Sequence, residues 1–173
     1  DEELAPGENE IGIQGNAILT RLPVLQELNL RLPVCHDPFH SKEKREGGRC
    51  ALIAVLECGL GRPLLVANTH LEVLTSTRCR SRQMKFLLKE MGDGPALLTG
   101  DLNTNTFERG TALKTFVSAL RLLGPDVREA VMFPWRYEPL FEDMKQAGFS
   151  WEGFNDDLAT CYADLAALED KKY

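Results

Sequence analysis

Two apolar runs decide the fold. The first is Cys50-Ala51-Leu52-Ile53-Ala54-Val55-Leu56-Glu57 and the second is Pro63-Leu64-Leu65-Val66-Ala67-Asn68-Thr69. Between them Cys58-Gly59-Leu60-Gly61-Arg62 supplies turn glycines. Each run has strand length and is rich in aliphatic residues, so the spacing predicts an antiparallel hairpin. Upstream, Val24 to Leu32 alternates, with Leu28, Leu30 and Leu32 on one face and Glu27, Asn29 and Arg31 on the other. That period of two predicts a half-buried strand. Asn16 to Thr20 is short and apolar enough to be read as a buried strand, and the polar stretch to Gly15 as a loop leading into it.

Downstream the period changes. Met84, Leu87, Leu88 and Met91 recur at helical spacing, with Gly92 as a stop. Pro95 to Thr99 is a short apolar strand expected to break at Gly100. Leu113, Phe116, Val117 and Leu120 mark a second helix ended by Gly124-Pro125. Glu138 to Ala147 predicts a third, with Pro139 in its first turn and Gly148 after its end. Hairpins mixed with helix crossovers indicate an α+β class, sheets covered by helices, in a single domain over residues 1–173.

The bulk properties narrow the function. The chain has 173 residues, 43% of them hydrophobic and 27% charged, as in ordinary globular proteins. No apolar run is long enough to span a bilayer. The net charge of −6 disfavours, without forbidding, a nucleic-acid partner. The densest basic stretch, Lys42 to Arg49, also carries Glu43 and Glu46 and reads as a solvated loop. Five cysteines, scattered and without CxxC spacing, suggest neither a disulfide framework nor a zinc knuckle. They lean toward a reducing, cytoplasmic setting, and Cys50 reads as a small buried thiol.

Two strand ends carry the chemistry. Val66 to Leu71 delivers His70 to the C-terminal rim of an apolar strand. Ala96 to Thr104 runs into Gly100, then Asp101 and Asn103 two residues apart. In extended chain, positions i and i+2 point to one side, so this carboxylate and amide are expected to face one site. Hydrolysis of a phosphate ester needs such groups. A carboxylate orients water or binds a metal ion, an amide donates to a phosphoryl oxygen, and an imidazole donates near the leaving oxygen. The bland alternatives are a structural strand-end histidine and an ordinary Gly-Asp-x-Asn turn. Trp135 and Trp151 lie near Phe133, Phe149 and Phe154, and are expected to pack a core rather than stack on a ligand.

In order, Gly15-Asn16-Ala17-Ile18-Leu19-Thr20-Arg21, Asn68-Thr69-His70-Leu71, Arg80-x-x-Gln83 and Gly100-Asp101-Leu102-Asn103 resemble the motif series of the endonuclease/exonuclease/phosphatase superfamily. The resemblance covers residues 11–105 well and Glu138 to Thr160 loosely. It implies the deoxyribonuclease I-like fold, a four-layer α/β/β/α sandwich, here incomplete. It implies a Mg²⁺-dependent (or Mn²⁺-dependent) hydrolase acting on a phosphodiester or phosphomonoester. Asp101 would orient the attacking water and is the residue matched to a metal, Asn103 would contact the phosphoryl group, and His70 would stabilise its charge. Asn16, Arg80 and Gln83 are expected to be structural, as a strand-end amide bond and a helix tied to its neighbour.

The pattern is departed from at both ends. The family's upstream asparagine and metal-binding glutamate have no counterpart before Gly15, where Glu2, Glu3, Glu8 and Glu10 lie in polar sequence. Its late aspartate-histidine pair is missing too, because no histidine follows His70 and Asp156, Asp157 and Asp164 have no such partner. Retention of His70, Asp101 and Asn103 favours a full-length hydrolase of which this piece alone is inactive. The alternatives are a non-catalytic binding module on the same fold and a nuclease acting on DNA or RNA.

Overall fold

The computed structural model describes residues 15–35, 48–73, 75–104, 116 and 133–153. Its centre is a four-stranded sheet in sequential order: β1 (Val24–Arg31), β2 (Cys50–Leu56), β3 (Leu64–His70) and β4 (Ala96–Asp101). β1 and β2 are antiparallel, and so are β2 and β3, which form the expected hairpin. β3 and β4 are parallel, joined across helix α1 (Thr77–Met91). A parallel pair needs such a crossover. A single 3-10 turn (Pro134–Arg136) precedes helix α2 (Pro139–Gln146). Mixed strands and helices make the class α+β. No helix among the described residues is long and apolar enough to cross a membrane.

The termini of α1 follow from its sequence. Ser76 is the N-cap, its hydroxyl accepting from the Cys79 amide at 3.2 Å, and Gly92 is the C-cap at φ +63°. No β-branched residue follows Thr77 within the helix. Met84, Leu87 and Met91 face inward and pack on Ala51, Ile53, Ala67 and Leu71 of the sheet and on Leu140, Phe141 and Met144 of α2. Each fully buried leucine in this cluster contributes roughly 1.5–3 kcal/mol of transfer free energy. Trp151 joins this core edge-on to Phe141, with ring centroids 5.1 Å apart. Trp135 does not: it stays half exposed against Phe133.

Several expectations shift. Residues 15–20 form no strand, and Leu19 is 93% exposed. This segment is held through side chains instead: Asn16 donates to the Cys50 carbonyl and Asn68 donates to that of Ala17, each at 2.8 Å. Ile18 packs on Ala54, Leu56 and Val66 on the sheet face away from α1. β1 is an edge strand among the described residues, so Leu28 is exposed even though it pairs opposite Ile53 on the helix-facing side. β4 runs through Gly100 to Asp101 rather than breaking there. Cys50 is half-buried. Arg49 is drawn in toward Glu72 at 3.7 Å, so that end of the basic stretch is not solvated. The expected helix at Leu113 to Leu120, apart from Phe116, lies outside the described residues, as do Lys42 to Gly47 and the stretch from Asp157 onward.

Candidate functional site at the β3 and β4 tips

The parallel register of β3 and β4 places His70 directly beside Asp101. Alternation puts both side chains on the sheet face opposite α1, together with Asn68 and Thr99. The imidazole Nε2 and Asp101 Oδ2 are 3.8 Å apart, with side chains 26% and 64% exposed. That spacing lies within ion-pair reach but is too long for a direct hydrogen bond. The two groups therefore share an open rim to which a solute has access.

The close approach depends on Gly100. Its φ is +121°, and a Cβ there would lie 1.8 Å from the Thr69 carbonyl oxygen and 2.8 Å from Asn68 Oδ1. Only glycine lets the two strand tips pair this tightly. Past the strand end, Leu71 N donates to the Asp101 carbonyl at 2.9 Å, which carries the ladder one residue further.

Asn103 arrives by a different route from the one its spacing suggested. The chain does not stay extended: Asp101 Oδ1 accepts from the Asn103 amide N–H at 2.9 Å, closing an Asx turn, and Asn103 takes φ +50°. Its side-chain Nδ2 then donates back to the Leu71 carbonyl at 2.9 Å. His70, Asp101 and Asn103 are thus brought together, by strand register for the first pair and by the turn for the third.

Behind the rim, buried polar groups fix where β3 ends. Gln83 Oε1 accepts from the Glu72 amide at 3.1 Å and its Nε2 donates to the Pro33 carbonyl at 2.9 Å. Arg80, fully buried, donates to the Thr75 carbonyl at 3.2 Å and pairs with Glu138 at the start of α2. The Arg80 and Gln83 motif is the tie expected of it. Burial pushes the Glu138 carboxyl above its ordinary range, opposed by Arg80. Asn68 and Glu72 were not singled out as individual residues. The signal for Asn68 is its i−2 position on the same face as His70.

A cavity of about 280 Å³, lined by Val55, Arg62, Leu65, Met91, Asp93 and Ala96 among others, lies at the opposite end of β3 and β4. Leu65 pairs with Ala96 five residues before His70 pairs with Asp101, roughly 16 Å along the strands. It has no part in the rim.

As a donor set, Asp101 offers a hard carboxylate. Mg²⁺ is commonly bound by one or two carboxylates together with substrate phosphate and water. Asp101 suits one such position. Among the described residues, no group of three or more His, Cys, Asp or Glu side chains is placed to hold a metal ion. Compared with protein-family models, with curated proteins and with solved structures, the chain finds no match.

Proposed function

We propose that this chain carries part of an active site that hydrolyses phosphate esters with an activated water, on a deoxyribonuclease I-like α/β/β/α architecture. The single observation that supports it most is the meeting of His70 and Asp101, 3.8 Å apart on the tips of adjacent parallel strands. In this proposal Asp101 orients and deprotonates the attacking water, a task suited to an exposed carboxylate anchored by one oxygen to the Asn103 amide. His70 faces the same space and donates toward the phosphoryl or leaving oxygen. Asn103 sets the turn that aims Asp101 and presents its amide beside the β3 end. A Mg²⁺ held in part by Asp101 would supply charge neutralisation at the phosphoryl oxygens.

The substrate class is a phosphodiester or phosphomonoester, with nucleic acid disfavoured by the charge of −6. The test assays this chain and the full product of its gene on bis(p-nitrophenyl) phosphate and p-nitrophenyl phosphate, with Mg²⁺, with Mn²⁺ and with EDTA. The expected result is metal-dependent release of p-nitrophenol by the full product and none by this piece. A full product inert toward every ester class in both metals contradicts the proposal.

A further inference from the structure

Cys35 and Cys79 are 44 residues apart in sequence and meet in the fold. Cys79 sits in the first turn of α1, its amide capped by Ser76. Cys35 lies in the segment leaving β1, whose three successive carbonyls are pinned to α1 and to Thr75 just before it. Pro33 O accepts from Gln83 at 2.9 Å, Val34 O from Arg82 at 2.8 Å, and Cys35 O from the Thr75 hydroxyl at 3.3 Å. The same Arg82 nitrogen that holds Val34 reaches the Cys35 sulfur at 3.4 Å and the Cys79 sulfur at 3.7 Å. One guanidinium nitrogen thus lies within 4 Å of both sulfurs. Both are half-buried and unbridged. Cys50 and Cys58, the other described cysteines, have no such arrangement: one is contacted by Asn16 and the other donates to the Arg62 carbonyl.

Two thiols gathered around one guanidinium nitrogen, on segments tied together by three hydrogen bonds, are placed to pair with each other once one of them is oxidised. We propose that Cys35 and Cys79 form a redox site that a peroxide closes to an intramolecular disulfide. In the first step the Cys79 thiol releases its proton, the thiolate attacks one peroxide oxygen and the O–O bond breaks, giving the sulfenic acid and a hydroxide that takes up the released proton as water. In the second, the Cys35 sulfur attacks that sulfenic sulfur, and the departing hydroxide takes the Cys35 proton as water. The two sulfurs lose two electrons in all and the peroxide gains them. Burial, aided by the neighbouring Cys79 thiol and opposed by Arg82, pushes the Cys35 thiol up to about 11, which suits it to the second role rather than the first. The Arg82 guanidinium is correspondingly held more firmly protonated by Cys35. This site stands apart from the phosphate-ester proposal and survives its failure.

A glutamate-specific protease separates the cysteines, leaving Cys35 in the peptide 28–43 and Cys79 in the peptide 73–90. The reduced chain is exposed to hydrogen peroxide, quenched with N-ethylmaleimide, digested and analysed by mass spectrometry without reductant. The expected product is a 28–43/73–90 conjugate lighter by two hydrogens than the sum of its peptides, appearing before any linkage of Cys50 or Cys58 and reversed by dithiothreitol. Melting of the oxidised chain is expected roughly 4–16 °C above the reduced one, from closing a loop of this length. The conservative C35S variant is expected to lose the conjugate and to leave Cys79 trapped by dimedone as sulfenic acid. Recovery of Cys35 and Cys79 as maleimide adducts while other thiols oxidise overturns the proposal, as does a random mixture of linkages.

Discussion

Replacing Gly100 with alanine tests the join between the two strand tips. The added methyl would stand 1.8 Å from the Thr69 carbonyl oxygen, a contact with rigid backbone that no rotamer change relieves. It would also place a side chain at φ +121°, where only glycine is at ease. Backbone strain of about 1–3 kcal/mol and overpacking of about 1–3 kcal/mol together give a loss of about 2–6 kcal/mol. Much of a small domain's stability is of that size. Gly59→Ala is the control: Gly59 has φ +72° and open space where its Cβ would stand, so only strain of about 1 kcal/mol is expected. Urea unfolding followed by circular dichroism compares the two. A G100A midpoint equal to that of G59A would refute the claim that β3 and β4 approach too closely for a side chain.

Other outcomes follow from the buried polar groups. Arg80→Met leaves Glu138 without its guanidinium partner and is expected to cost about 3–5 kcal/mol, read as a lowered urea midpoint. Gln83→Ala removes both the Glu72 and Pro33 bonds, and a loss of about 2–4 kcal/mol is expected in the same assay. Because burial raises the Glu138 carboxyl above its ordinary 4.5, the folded chain binds that proton more tightly than the unfolded one. The resulting stabilisation is complete below the ordinary value and is lost as pH rises through the raised one. Stability of the wild type relative to Glu138→Gln is therefore expected to decline with rising pH above about 4.5, and a flat difference would count against a raised carboxyl.

Much of the sheet was legible because its signals are local. The β2–β3 hairpin is written in two apolar runs and a glycine turn, and α1 in its stripe of Met84, Leu87, Leu88 and Met91 with Gly92 as a stop. The strand ends of His70 and Asp101 could be placed, since apolar runs stop where they stand. What failed was non-local or made by side chains. Residues 15–20 are apolar enough for a strand, yet Asn16 and Asn68 hold the segment through amides, so no ladder forms. The i+2 rule brought Asp101 and Asn103 to one site for the wrong reason, because the Asx turn replaces the extended chain. Nothing in local periodicity shows that Arg80 meets Glu138 58 residues later, or that two scattered cysteines converge on Arg82.

The central claim is that an imidazole and a carboxylate on neighbouring strand tips act together on one phosphate ester. A double-mutant cycle on kcat/KM with His70→Ala, Asp101→Asn and the pair, in the full gene product, tests it most directly. Groups that act as a unit give strongly non-additive losses. The double variant is expected to be scarcely slower than the worse single one, with urea midpoints near wild type because both side chains reach solvent. Either single variant retaining wild-type turnover, or losses that multiply independently, would contradict a shared site.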